Sequence, residues 1–63
     1  MTFDEIQKII VNDGWYLDNI VGSHHQYKHR TKQGKVTIPH HKKTKDLNKK
    51  TIRSILKQAQ IEL

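Results

Sequence analysis

The chain has no cysteine, one proline, three glycines and no apolar run of membrane-spanning length. Without cysteine there can be neither a disulfide nor a thiolate metal site, and nothing assigns the chain to an oxidising compartment. The missing apolar run leaves neither a signal peptide nor a membrane span to expect, so a cytoplasmic location is the default expectation. Hydrophobic residues make up only 33% of the 63 residues. A chain this short buries only about 60% of the surface that its unfolded form exposes. One domain over residues 1–63, with one thin core and no deep substrate cleft, is the expected organisation. Because Ile, Leu and Val recur at regular spacing, the chain should still fold.

Positive charge is abundant and unevenly placed. Twelve Lys and Arg against six acidic residues give a formal charge of +6; Lys8 is the only basic residue before Lys28, and eleven fall between Lys28 and Lys57. Isolated lysines are usually just solvated, but eleven in thirty residues describe a basic surface made by the second half of the chain. Nucleic acid is a better partner for it than a membrane, because the Lys-rich segments lack the large apolar face of an interfacial helix.

Thr2 followed by Glu5 is a capping-box pattern, and Phe3, Ile6, Ile9 and Ile10 continue it as one apolar helical stripe. Asp13-Gly14 should end that helix. Trp15 to Val21 then reads as a strand, Gly22-Ser23 as a turn, and His24 to about His29 as a second strand. A polar loop, Thr31-Lys32-Gln33-Gly34, leads to a third strand, Lys35 to Ile38, ended by Pro39. Asn48 is the expected N-cap of a last helix, in which Ile52, Ile55, Leu56 and Ala59 share a buried face. The opposite face carries Lys49, Arg53 and Lys57, a basic stripe about ten ångströms long or more. The fold class is therefore α+β, in the order α-β-β-β-α: a three-stranded antiparallel sheet with both helices on one face and the other face open.

Residues two apart on a strand share a face. Tyr27 should point at the helices and take His25 and His29 with it, leaving His24, Gln26 and Lys28 outside. Val36 and Ile38 should point inward, with Lys35 and Thr37 outside. Pairing Arg30 with Lys35 around the loop would set Tyr27 opposite Ile38 and Lys28 opposite Thr37. The open face then shows His24, Gln26, Lys28, Lys35 and Thr37.

Five histidines suggest metal binding, catalysis or packing. Zinc needs three or four converging ligands, whereas neighbouring histidines on a regular strand point to opposite faces, so no metal site and no cofactor are expected. His25, His29 and His40 read as rim or structural residues. RNA cleavage without a metal needs a base for the 2′-hydroxyl proton and cations for the charge developing on the phosphate. Histidine suits the first and Lys28, Lys35 or Arg53 the second. Spacing alone fits equally well an exposed His24 that merely lies beside a phosphate.

Four segments in register carry a resemblance: Asp13-Gly14-Trp15, Gly22-Ser23-His24-His25-Gln26-Tyr27-Lys28-His29, Val36-Thr37-Ile38-Pro39-His40, and Thr51-Ile52-Arg53-Ser54-Ile55-Leu56-Lys57-Gln58-Ala59. Together they resemble the HicA family of toxins over nearly the whole chain. The resemblance implies a fold like that of double-stranded-RNA-binding domains and a metal-independent, mRNA-cleaving activity. It also implies a HicB-type antitoxin that covers the active site, and a catalytic histidine at the first position after Gly-Ser, His24. Lys28, Lys35, Lys49, Arg53 and Lys57 are the candidate RNA-binding residues. The chain departs from the pattern at His41, where proline is common, and in the stretch 42–45, which is about two residues longer. It departs again at Asn48-Lys49-Lys50, in place of Pro-x-Gly, and at Gln60, in place of glycine. The rival function is a non-catalytic RNA-binding module reading shape through 2′-hydroxyl and phosphate contacts, and a third is a protein-interaction module for an acidic partner.

Overall fold

A computed structural model describes residues 1–40 and 46–62. The elements run α1 (Phe3–Asn12), β1 (Trp15–Val21), β2 (His24–His29), β3 (Val36–Pro39) and α2 (Lys49–Gln58), in the order that the sequence patterns predict, with β3 starting one residue later than expected and including Pro39. The His41 and 42–45 departures lie outside the described residues.

Each helix begins where its cap dictates. Thr2 Oγ1 accepts from the Glu5 N–H while Glu5 Oε1 accepts from the Thr2 N–H, so two donors at the start of α1 are satisfied reciprocally. Asn48 Oδ1 accepts from the Thr51 N–H at the start of α2, 2.8 Å away. Gly14 follows α1 with φ +108°, and a Cβ there would lie 2.6 Å from the His29 ring. Both the backbone angle and the close approach therefore require glycine. At the end of α2, Gln60 takes a left-handed φ of 57°. Its N–H and that of Ile61 bond back to the carbonyls of Lys57 and Leu56, the pattern in which glycine is usual.

The strands form one antiparallel sheet in the order β1-β2-β3. Gly22, with φ +60°, opens the two-residue turn between β1 and β2, so that Val21 pairs with His24 directly. The core lies between one sheet face and the helices. It comprises Phe3, Ile6 and Ile10 of α1, Trp15, Tyr27, Val36 and Ile38 of the strands, and Ile55 and Ala59 on the α2 side. Trp15 Nε1 donates to the Ala59 carbonyl, and the Tyr27 hydroxyl donates to Gln7 Oε1.

The register of β3 differs from the expectation. Tyr27 lies opposite Val36, His25 opposite Ile38 and Gln26 opposite Thr37. The loop is longer than four residues because His29 gathers it. Its Nδ1 accepts from the N–H groups of Thr31 and Lys32, and Lys32 Nζ reaches Asp13 at 2.6 Å and the carbonyls of Ala59 and Gln60. The change is two residues, so the side chains that lie on the strands keep their expected faces, while Arg30 and Lys35, expected to pair, lie in the loop outside the ladder. A second irregularity, a bulge at Asp18 between Leu17 and Asn19, has no counterpart in the sequence pattern.

Candidate functional site

His24 stands on the middle strand, flanked by Val21 of β1 and Pro39 of β3, with its side chain on the exposed face. The tight Gly22-Ser23 turn and the pairing of Tyr27 with Val36 determine this placement. Once Tyr27 is buried, the residue three positions earlier must point outward. An open groove of about 360 Å³ runs between this end of the sheet and α2, lined by His24, Thr37, Pro39, Lys50, Thr51, Ser54, Ile55 and Gln58. Among the described residues no carboxylate lines it.

The other described histidines are engaged. His40 stacks on Phe3 with ring centroids 4.0 Å apart, and His25 meets both rings edge-on at 5.0 Å. Burial, and then the neighbouring His40, push the His25 pKa below its ordinary value of 6.5. Its Nδ1 is buried without a hydrogen-bond partner. His29 lies 2.7 Å from the Asp13 carbonyl through Nε2 and accepts two backbone N–H groups at Nδ1, so its ring proton belongs on Nε2. The sequence pattern predicts that His25, His29 and His40 are rim or structural residues hydrogen-bonded beneath the sheet edge; His29 is hydrogen-bonded in this way, whereas His25 and His40 are engaged by ring packing. Among the described residues no cluster of three or more His, Cys, Asp or Glu could hold a metal ion.

The basic candidates are dispersed. Lys28 shares the outer face with His24 but sits four residues along β2, about 13 Å away at strand rise, and its Nζ is 3.5 Å from Asp18 Oδ2. Lys35 is exposed just before β3, at the far end of the hairpin from His24. Lys49, Arg53 and Lys57 are exposed on α2 as expected, but Lys49 and Arg53 line a second shallow depression with Met1, Leu47 and Ile52, on the flank away from His24. Among the described residues, the cation that reaches the His24 groove is Lys50, which sequence reasoning passed over, together with Ser54 and Gln58. The signal was present: Lys50, Ser54 and Gln58 recur every four residues along one flank of the apolar stripe, as Lys49, Arg53 and Lys57 do farther round the helix.

An exposed imidazole, a lysine and hydroxyl groups around an open groove can bind an anion and exchange a proton with a ligand there. No helix among the described residues is long and apolar enough to cross a membrane. Among curated proteins none matches the chain. A family model described as the HicA toxin of bacterial toxin-antitoxin systems matches residues 3–61, nearly all of the chain. With the α-β-β-β-α order and the Gly-Ser-His24 strand start in place, the chain belongs to the HicA toxin family, whose members are the toxins of toxin-antitoxin systems and have a cognate antitoxin partner.

Proposed function

We propose that this toxin is a metal-independent endoribonuclease that cuts mRNA in the cytoplasm and thereby arrests translation and growth, with His24 as its proton-transfer group. One observation carries the reading: His24 is the only described histidine whose ring is taken up neither in a hydrogen bond nor in aromatic packing, and it opens on the cationic groove. In the reaction His24 accepts the proton of an RNA 2′-hydroxyl. The 2′-oxygen bonds to phosphorus, the bond from phosphorus to the 5′-oxygen breaks, and solvent reaching the open groove returns a proton to the leaving oxygen. The products are a 2′,3′-cyclic phosphate and a 5′-hydroxyl. Lys28, Lys35, Lys49, Arg53 and Lys57 hold the backbone on either side of the cut; contacts of that kind give affinity and salt dependence rather than chemistry.

The antitoxin is of the HicB type and silences the toxin by covering His24. Among the described residues this thin two-layer domain with an open groove offers no lid to close and little bistability for remote control, so direct occlusion by an acidic surface is the economical mechanism. Inducing the wild type and His24→Ala in cells at equal expression tests the reading. Growth arrest with loss of mRNA integrity should follow the wild type alone, and co-expression of the antitoxin should abolish it. Equal toxicity from both would remove His24 from the chemistry. RNA binding at equal affinity by both proteins, without cleavage by either, would make this a binding module instead.

A further inference from the structure

We infer that the groove beside His24 is a phosphate subsite in which the Lys50 ammonium and the Ser54 hydroxyl hold the phosphate oxygens, with Gln58 as the residue that positions Ser54. The inference rests on the ribonuclease reading for its biological ligand, but not for its geometry.

β3 is the last strand of the sheet, and the Thr37 N–H on its outer side donates to Gln58 Oε1 at 2.9 Å. A backbone N–H can only donate, so the amide of Gln58 is fixed with its oxygen toward the strand. Its nitrogen must then face the other way, where it donates to Ser54 Oγ at 3.2 Å. A hydroxyl that accepts from an amide keeps its own proton for another acceptor. Ser54 is exposed and lines the groove, as do Lys50, Thr37 and Thr51.

This leaves a groove with hydroxyls, an ammonium and an imidazole, and, among the described residues, with no carboxylate on its walls. Such a donor set suits a tetrahedral oxyanion, whose several oxygens can take separate charge-assisted hydrogen bonds. Lys49 and Arg53, which a linear reading of the basic stripe favours, line the opposite flank of α2. They are placed to hold a more distant part of the strand. The edge contact that completes the sheet thus also orients a ligand donor.

The test is a titration of the full-length protein with inorganic phosphate at constant ionic strength, followed by the amide and histidine ring signals in NMR spectra. Saturable shifts should gather at His24, Thr37, Lys50, Ser54 and Gln58. Lys50→Gln should weaken phosphate binding roughly tenfold, in line with losing one charge-assisted contact, and Ser54→Ala by a smaller factor, each with an unchanged melting temperature. Once Ser54 is alanine, Gln58→Leu should cost no further phosphate affinity, because its effect passes through the hydroxyl. Shifts centred on Lys49 and Arg53, or unchanged affinity in both Lys50→Gln and Ser54→Ala, would overturn the subsite. Phosphate binding in the groove without RNA cleavage would remove the ribonuclease reading and leave the subsite standing. His24-dependent cleavage indifferent to both substitutions would do the reverse.

Discussion

At the β3 edge the Thr37 N–H is met by the Gln58 amide, and α2 runs alongside with Ile55 buried. At the β1 edge Tyr16, Leu17, Ile20 and Val21 stand 46–54% exposed. That edge is protected differently: a bulge at Asp18 breaks the regular ladder, and the Asn19 side chain accepts from the Ile20 N–H. Charge follows the same division. Residues 1–27 hold four acidic residues and one basic one, and residues 28–63 hold eleven basic and two acidic. One edge therefore has the groups to hold a phosphate backbone and the other does not. In so small a domain the helix that closes an edge also lines the candidate groove.

Substitutions at matched positions should separate the two edges. Ile55→Ala removes a fully buried side chain from the helix that covers β3 and should cost about 2–5 kcal/mol, enough to unfold much of a domain with so thin a core; urea denaturation measures it. A loss no larger than that of an exposed residue would mean that α2 is not held as described. His25, paired with Ile20 on one side and Ile38 on the other, is the intermediate case. Its folded pKa lies below 6.5 because of burial and then His40, so the unfolded chain takes up the proton first. Its contribution is complete above about pH 6.5 and is lost as the pH falls from there toward the folded pKa. Melting temperature should drop over that window, and His25→Gln should flatten the drop.

Two smaller effects complete the series. Gln60→Gly relieves a left-handed backbone at the end of α2 and should stabilise by at most about 1 kcal/mol. The gain is reduced by losing the bond from Gln60 Nε2 to the Gln33 carbonyl. A clear loss of stability would show that this side-chain contact outweighs the strain. Ile20→Thr, at the uncovered edge, should stay within about 0.5 kcal/mol. A loss comparable to that of Ile55→Ala would show that the β1 edge is covered in solution.

The sequence patterns conveyed most of the fold because its local signals are strong. The Thr2–Glu5 box, the Gly22-Ser23 turn, the Asn48 cap and the two apolar stripes each stand within a few residues of what they determine. The facing of His24 was legible for the same reason: alternation on a strand needs only one buried anchor, and Tyr27 is that anchor. The pairing of β2 with β3 was not legible. It depends on His29 gathering the loop and on Lys32 reaching across to Asp13 and the end of α2, contacts between residues up to 28 apart. Lys50 was missed on similar grounds. A helical pattern identifies the polar face, but which flank of that face meets the groove depends on how α2 sits against the β3 edge.

The most direct test of the account is cleavage by purified protein, in the presence of a metal chelator, of an RNA and of a DNA with the same base sequence. The RNA should be cut to fragments ending in 2′,3′-cyclic phosphate, and the DNA, lacking the 2′-hydroxyl, should stay intact. His24→Ala should lose about 10²–10⁴-fold in rate while keeping the wild-type melting temperature. Cleavage of the DNA, or wild-type rates from His24→Ala, would contradict it.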